Sequence, residues 1–329
     1  MDLTIIWAAI IAFGVIVYVI LDGFDLGVGI LFAWIHDEEH RSIMMDTVAP
    51  VWDGNETWLV LGGALLYGAF PAAYSTLLPI LYMPLMIMLA ALIFRGVAFE
   101  FRHKAHTSRF IWDLSFAGGS FLASFMQGVV LGAIVEGKAF ALPVPGHWLT
   151  PFTVMTGVAV AVGYTLLGST WLISKTEGEL QQKMFQVAKF ALLVMVFFYA
   201  LVSLWTPFIE PRLQTLWFSL PNFFYLLPLP IIAGISIISL WFSLQKKREF
   251  LPFWLSISLF IYAYIGLCIS TWPYIVPHQL TIWQAAAPET SQVFLLVGTL
   301  ILVPILLIYT AYTYSVFRGK VVKGGTHYH

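Results

Sequence analysis

Long apolar stretches recur along almost the whole chain, separated by short polar segments. A helix needs about 20 residues to cross about 30 Å of hydrocarbon. Nine of the stretches have about this length or are longer. They cover residues 4–33, 57–75, 77–100, 112–135, 151–174, 186–208, 222–244, 251–272 and 290–317. None alternates apolar and polar residues as a barrel strand does, and a backbone in lipid must otherwise be helical. The pattern predicts an all-α polytopic membrane protein with nine transmembrane helices.

Composition supports this fold class and excludes others. Of the 329 residues, 60% are hydrophobic and 10% are charged, whereas soluble domains have about 45–50% apolar and about 25% charged residues. The formal net charge of -1 excludes nucleic-acid binding through bulk charge. The single cysteine, Cys268, excludes intrachain disulfides and a cysteine-ligated cluster held by this chain alone. The first apolar stretch lacks a basic flank and is too long for a cleavable signal peptide, so none is expected.

Basic residues indicate the orientation of the chain in the membrane. With the N-terminus outside, 13 of the 16 lysines and arginines lie in or beside cytoplasmic segments. These are Arg41, Arg102, Lys104, Arg109, Lys175, Lys183, Lys189, Lys246, Lys247, Arg248, Arg318, Lys320 and Lys323. Lys138 and Arg212 lie in segments on the external side, and Arg95 lies within a helix. We expect the N-terminus outside and the C-terminus in the cytoplasm.

A weak internal repeat suggests how the helices are grouped. Val17-Tyr18 and Asp22-Gly23 align with Gly163-Tyr164 and Gly168-Ser169 at an offset near 146. The alternative is that helix ends resemble one another everywhere. With the repeat, the chain divides into a four-helix bundle over 1–135, a second over 136–275, and a peripheral ninth helix with a cytoplasmic tail over 276–329.

Five charged residues lie at one depth, in or near the cytoplasmic half of the membrane. Asp22 and Asp25 share one face of the first helix, and Asp53 and Glu56 begin the second. Arg95 lies about 10 Å of helix rise from the inner boundary. Intramembrane charges are expensive and suggest function.

Two interpretations of these residues remain open at this stage. Arg95 could neutralise Asp22 or Asp25 as a structural brace, with Asp53 capping the second helix. Alternatively, four carboxylates against one arginine form a protonatable, proton-conducting cluster, with Asp53 as the delivering group and Trp52 shielding it from water.

Gly23 and Gly27 provide the small-xxx-small spacing that lets another helix approach closely. We expect both glycines to serve helix packing.

Haem and metal ligands are scarce at membrane depth. The eight histidines lie in loops, helix ends or the tail, at His36, His40, His103, His106, His147, His278, His327 and His329. The pairs His36/His40 and His103/His106 have metal-compatible spacing, but surface pairs without a third ligand are seldom metal sites. Met83, Met86 and Met88 lie at depth and are interpreted as core or lipid-facing residues. The chain alone is therefore expected to bind no haem and no metal, and it carries no catalytic residue of its own.

Four motifs give the chain a family resemblance. LDGFDLGVGIL at 21–31, APVWDGNETWLV at 49–60, FRGVAFEFRHK at 94–104 and GSTWLISKTEGEL at 168–180 resemble subunit II of cytochrome bd-type quinol oxidases. Their order and the nine-helix layout extend the resemblance over essentially the full chain. The short loops are more similar to the cyanide-insensitive type.

The resemblance implies a haem-free subunit of a bacterial inner-membrane enzyme that oxidises ubiquinol, reduces oxygen to water and generates proton motive force. It implies a partner subunit I that carries haems b558, b595 and d, and a small single-helix accessory subunit. It further implies a lipid or structural quinone site and a role in proton or oxygen access. Asp22, Asp25, Asp53, Glu56 and Arg95 match polar positions of the family.

The competing class is a proton-coupled secondary transporter, which would also show repeats and intramembrane carboxylates. Its broken helices should carry Gly or Pro at corresponding positions of the two halves. Here the prolines cluster in 71–84 and 221–230, at expected helix ends and without matching offsets, which favours the oxidase.

Overall fold

A computed structural model shows an almost entirely helical chain and describes residues 2–105, 107–141 and 146–321. The helices are α1 (Leu3–Phe32), α2 (Glu38–Val48), α3 (Trp52–Ala69), α4 (Pro71–Lys104), α5 (Arg109–Glu136), α6 (Lys138–Ala141), α7 (Pro151–Lys175), α8 (Gly178–Ile209), α9 (Pro211–Phe218), α10 (Asn222–Leu226), α11 (Pro228–Gln245), α12 (Leu251–Thr271), α13 (Ile282–Ala285) and α14 (Glu289–Val316). A short antiparallel hairpin, β1 (Tyr274–Val276) with β2 (Leu280–Thr281), precedes α13.

The fold class predicted from the apolar pattern is confirmed. In the described part of the chain, eight helices are long and apolar enough to cross a membrane. The predicted second span corresponds to α3, which is 18 residues long. Its first turn is polar, containing Asp53, Asn55 and Glu56, so this helix is less apolar than the other eight. The count of nine spans stays a prediction.

The break between the second and third predicted spans lies earlier than expected. The apolar pattern placed it at residue 76, but α3 ends at Ala69 and α4 begins at Pro71. Proline has no amide hydrogen and a fixed φ, so it starts a helix more readily than it continues one. Pro79 and Pro84 nevertheless lie inside α4, so the expectation that the prolines of 71–84 mark helix ends was wrong for these two.

Hydrogen bonds between residues far apart in the sequence define two opposite ends of the molecule. At one end, the indole of Trp283 donates to the Asp2 carboxylate at 2.7 Å, and the amide of Ala287 donates to the carbonyl of Ala69 at 2.9 Å. At the other end, Arg102 donates to Asp113 at 2.6 Å. We name these the Asp2 end and the Arg102 end. Successive long helices connect them in alternating directions.

Helices α1, α5 and α7 form the centre of the molecule. α1 lies along α3, α5 and α7, while α4 packs on α5 and α8 packs on α7. Helix contacts between 1–135 and 136–275 are therefore extensive, and the two-bundle division stays a prediction. α14 packs mainly against α3 and has few buried side chains, Gln292 and Thr299.

Candidate functional site

Arg95 is the centre of a buried polar cluster formed by α1, α3 and α4. Its side chain is fully buried, and its Nη1 donates to Asp22 Oδ1 at 2.7 Å. Its Nη2 donates to Glu56 Oε1. Asp22 is 1% exposed, whereas the Glu56 side chain is 24% exposed. One guanidinium therefore joins a buried acid to an acid that reaches the surface of the isolated chain.

Asp25 joins the cluster through a residue that the sequence analysis missed. Asn55 Nδ2 donates to Asp25 Oδ2 at 2.7 Å and to the carbonyl of Leu21 at 3.2 Å. The hydroxyl of Tyr314, from α14, donates to Asn55 Oδ1 at 3.0 Å. Asn55 lies between Asp53 and Glu56, but an uncharged amide at a helix start gave no signal of its own. Tyr314 is distant in sequence and belongs to an apolar run.

Asp53 differs from the other four predicted residues, because it lies on the surface of the isolated chain. It is the second residue of α3, one turn before Glu56 on the same side of the helix. Within the described residues its carboxylate makes no hydrogen bond or ion pair. The N-cap position belongs to Val51, without a side-chain hydrogen bond, so the capping interpretation of Asp53 was wrong.

Trp52 was expected to shield Asp53, but its ring lies over the guanidinium of Arg95. The Arg95 guanidinium carbon lies 6.0 Å from the Trp52 ring centroid. Trp52 stacks on Phe99 at 4.9 Å with an interplanar angle of 7°. The two rings close one side of the cluster, and the arginine keeps a favourable contact with an aromatic face.

The cluster has more acid than base and several incompletely used polar atoms. One arginine faces the three carboxylates of Asp22, Asp25 and Glu56. Among the described residues, Asp22 Oδ2, Asp25 Oδ1 and Arg95 Nε are buried without a hydrogen-bond partner. Uncompensated buried carboxylates bind protons, since desolvation disfavours their charged form. The arrangement can therefore store and exchange protons.

Gly23 and Gly27 lie against α7 of the same chain. A Cβ at Gly27 would lie 1.8 Å from the carbonyl oxygen of Tyr164 and 2.9 Å from the amide nitrogen of Gly168. A Cβ at Gly23 would lie 2.6 Å from the Tyr164 ring. The two helices cross backbone to backbone at this point, which fixes the position of Asp22 and Asp25 on α1.

A second ion cluster at the Arg102 end was also missed. The buried Arg102 donates from Nε to Asp113, from Nη1 to Ser42 at 3.2 Å and from Nη2 to Glu38 at 3.0 Å. Arg41 donates to the other oxygen of Asp113 at 3.0 Å. From the sequence, Arg102 and Arg41 indicated only the orientation of the chain in the membrane.

Histidines of the described segments lie near the two ends and form no metal centre there. His103 Nε2 lies 4.0 Å from Asp46, and His278 Nε2 lies 2.9 Å from Glu210. Over 2–105, 107–141 and 146–321, no three His, Cys, Asp or Glu residues are grouped as metal ligands. His106, Lys323, His327 and His329 lie outside the described residues.

Comparison with known proteins relates the whole chain to one family. The model of the family described as cytochrome bd terminal oxidase subunit II matches residues 3–317. Cytochrome bd-I ubiquinol oxidase subunit 2 of Escherichia coli K12 is 28% identical over 98% of this chain and 96% of its own length. Cytochrome bd ubiquinol oxidase subunit 2 of Bacillus subtilis 168 is 27% identical over 96% of each chain.

A solved structure shows the same fold. A chain of the bd oxidase from Geobacillus thermodenitrificans superposes with a TM-score of 0.75 at 18% identity, covering 96% of this chain and 99% of that chain.

Proposed function

The chain belongs to the cytochrome bd terminal oxidase subunit II family, and from this membership we propose that it completes a quinol-oxidising, oxygen-reducing membrane complex and supplies a proton-exchanging site to it. Its relatives are named as subunits of ubiquinol oxidases. The transporter alternative finds no support in these relatives. The chain is a multi-pass protein of the bacterial inner membrane.

We place the haems in the partner subunit. The axial ligands of haem are most often His, Met or Cys side chains, and they must lie at haem depth. His36, His40 and His103 lie at the Arg102 end, and His147 and His278 lie in the segments that close the Asp2 end. Met88 is 3% exposed and packed in the apolar core. These residues do not fit a haem site within this chain.

We propose that subunit I covers the outward face of α3. Asp53 is exposed there, and an ionisable side chain that faces hydrocarbon is costly. Farther along α3, a Cβ at Gly63 would meet nothing within 4 Å. A small-residue surface of this kind suits close approach of another helix. A partner that covers Asp53 would also enclose the exposed edge of Glu56.

One observation carries the proton-exchange proposal. Arg95 is shared by Asp22 and Glu56 while Asp25 lies beside them, so the buried cluster contains more carboxylates than it has positive charge to balance. Protons bound by the excess acids can leave through the partly exposed Glu56. Asp53, one turn away and open to solvent in the isolated chain, is placed to receive or deliver them.

The basic residues favour an orientation in which the Arg102 end faces the cytoplasm. Arg41, Arg102 and Lys175 all lie at that end. The positive-inside rule then places Asp53 and Glu56 on the cytoplasmic half. Protons taken up there and consumed in oxygen reduction would contribute to the membrane potential.

Turnover of the assembled oxidase tests the proposal. Asp53→Asn and Glu56→Gln remove titratable groups with little change of shape, so each variant should retain the full haem content yet lose quinol oxidase turnover severalfold. Asp37→Asn is the matched control, because Asp37 is an exposed N-cap at the same end and asparagine also caps helices. Wild-type turnover per haem in both Asp53→Asn and Glu56→Gln would refute the proton role.

A further inference from the structure

The end of α14 that carries Tyr314 has little support from the apolar core. The helix is 28 residues long, and its buried residues, Gln292 and Thr299, both lie in its first half. Thr299 is about 22 Å of helix rise away from Tyr314. The position of the Tyr314 hydroxyl beside the buried cluster around Arg95 therefore depends on contacts at the end of the helix.

Lys175, the last residue of α7, holds that end. It is 8% exposed, and its Nζ donates to the carbonyl of Phe317 at 2.6 Å and to the carbonyl of Gly319 at 3.3 Å. The amide of Val321 donates back to the carbonyl of Lys175 at 2.8 Å. A cation beside the carbonyl end of a helix also suits the helix dipole. Lys175 therefore fastens the residues that directly follow α14 to the end of α7.

Aromatic rings make the second contact to the end of α14. Lys175 Nζ lies 4.8 Å from the Trp171 ring centroid, and Trp171 stacks on Phe24 of α1 at 4.3 Å with an interplanar angle of 25°. The Tyr314 ring meets both rings edge-on, with its centroid 6.2 Å from that of Trp171 and 6.3 Å from that of Phe24. Trp171 and Phe24 are 5% and 1% exposed. The Tyr314 ring thus rests on a buried aromatic pair that Lys175 also contacts.

The hydrogen-bond directions around Asn55 are the same in every protonation state of the cluster. Asn55 Nδ2 lies 3.2 Å from the carbonyl of Leu21, and a backbone carbonyl only accepts. The amide NH2 group must therefore face Leu21 and Asp25, whose Oδ2 is 2.7 Å away. Asn55 Oδ1 then faces the Tyr314 hydroxyl at 3.0 Å, and that hydroxyl must donate. Tyr314 thus keeps the amide donor of Asn55 turned toward Asp25.

We propose that Tyr314 is a positioning residue for Asp25, acting through Asn55. Lys175 fixes the tyrosine there by holding the end of α14. Asn55 is 1% exposed, so loss of the Tyr314 hydroxyl leaves its Oδ1 buried and unpaired, which is costly and makes the amide rearrange. The inference rests on the proposed proton exchange, because Asp25 is one of the exchanging acids.

Infrared spectroscopy of the purified oxidase complex tests the assignment apart from turnover. The readout is the carboxyl and carboxylate stretching bands of Asp25, assigned by their loss in Asp25→Asn. Tyr314→Phe keeps the ring on its aromatic pair and removes only the hydroxyl, so it should retain full haem content and shift the Asp25 bands. Its turnover per haem should fall about fivefold, the equivalent of one hydrogen bond of about 1 kcal/mol. Tyr312→Phe is the matched control, because Tyr312 is 68% exposed on the same helix, and it should change neither measurement.

Lys175→Met tests the hold on α14, because it keeps an apolar stem over Trp171 and removes the ammonium group. It should shift the Asp25 bands in the same direction as Tyr314→Phe. The double variant should show no further shift, since both changes act through one hydroxyl. Lys183→Met, at an exposed position near the start of α8, should leave the bands unchanged. Lys175→Gln keeps one donor group, should give a smaller shift, and replaces Lys175→Met if that variant does not assemble.

Unshifted Asp25 bands in Tyr314→Phe would overturn the inference. Additive shifts in the double variant would also overturn it, because Lys175 would then act on Asp25 by another route. If Tyr314→Phe shifts the bands while Asp53→Asn and Glu56→Gln keep full turnover, the proton role fails but the positioning of Asp25 stands.

Discussion

Two fully buried arginines on α4, two helical turns apart, are the centres of ion clusters with opposite character. Arg95 lies among Asp22, Asp25 and Glu56, so acids outnumber the base. Arg102 lies at the edge with Arg41 and Arg109 against Asp113 and Glu38. There the bases outnumber the acids.

In the edge cluster, Arg102 and Asp113 use all their polar side-chain atoms in hydrogen bonds, whereas Arg109 Nε is buried with only an ion-pair contact to Glu38 at 3.5 Å. All three nitrogens of Arg102 have partners, and both oxygens of Asp113 accept from arginines. The guanidinium carbons of Arg41 and Arg102 each lie 5.1 Å from the Phe32 ring centroid. These contacts make Arg102 and Asp113 a brace between α2, α4 and α5.

In the central cluster, several polar atoms have no hydrogen-bond partner among the described residues. Asp22, Asp25 and Arg95 keep buried atoms without full hydrogen bonding in the described structure, and Glu56 extends to the surface. The same residue type on the same helix therefore serves structure where its partners are saturated, and suits proton exchange where they are not. Saturation of hydrogen bonds, more than burial, distinguishes the two roles.

The largest expected effect comes from breaking the edge cluster. Arg102→Met leaves Asp113 and Glu38 without their buried partner, and removal of one member of a buried ion pair costs about 3–5 kcal/mol. The variant complex should assemble poorly and show a markedly lower Tm in thermal unfolding monitored by haem absorbance.

Two further variants sharpen the contrast. Arg102→Met combined with Asp113→Leu should recover part of the loss, because no charge of that pair is left buried. Arg95→Met should lower Tm less than Arg102→Met, since acids of the central cluster can take up protons. Equal loss of Tm at both arginines would contradict the distinction between a brace and a proton-exchange site.

A smaller effect is expected where α1 crosses α7. A Cβ at Gly27 would collide with the backbone of Tyr164, and such overpacking costs about 1–3 kcal/mol. Gly27→Ala should displace α1 and weaken co-purification of the haem subunit, and Gly27→Leu or Gly23→Leu more so. The central cluster draws Asp22 and Asp25 from α1, so turnover should fall along with assembly.

Gly14→Ala is the control on the same helix. A Cβ there would meet nothing within 4 Å, and alanine is the better helix former by about 1 kcal/mol. Its Tm should stay equal to that of the wild type or rise. Undiminished assembly of Gly27→Ala would show that the α1–α7 crossing is looser than the contacts imply.

Apolar length was enough to predict most of the fold. It indicated the eight long apolar helices, because each crosses one bilayer thickness with an almost unbroken apolar sequence. It misplaced the start of α4, since hydrophobicity does not change across Phe70 and Pro71 while the backbone does. It also left α2 as a loop, because a polar helix lying between spans carries no apolar run.

The charged residues that share one membrane depth predicted the centre of the site, but not the uncharged residues around it. Asp22, Asp25, Glu56 and Arg95 are together because few alternatives exist for charges inside a membrane. Asn55 and Tyr314 are uncharged, and their contacts join helices far apart in sequence. Asp113 was missed because a carboxylate near a helix start is ordinary at a membrane surface.

An exposed ion pair near the end of α14 should show the smallest effect. Lys320 follows α14 and donates to Glu249 at 2.8 Å, while the amide of Val321 donates to the carbonyl of Lys175 at 2.8 Å. These bonds fasten the end of α14, which carries Tyr314, to the turns after α7 and α11. The Lys320 hydrogen bond lowers the pKa of Glu249 from its ordinary value.

A carboxylate with a depressed pKa stabilises the folded form above its ordinary pKa, and that contribution is lost as the pH falls through the folded value. Exposed pairs contribute about 0–1 kcal/mol. Glu249→Gln should therefore speed hydrogen exchange of the Val321 amide about twofold to fivefold at neutral pH. The ratio of variant to wild-type rates should approach one in acid, where wild-type Glu249 is protonated as well. Glu179→Gln, at the exposed start of α8, should leave the ratio near one throughout. A ratio for Glu249→Gln that does not change with pH would mean that shape, and not charge, fastens this end of α14.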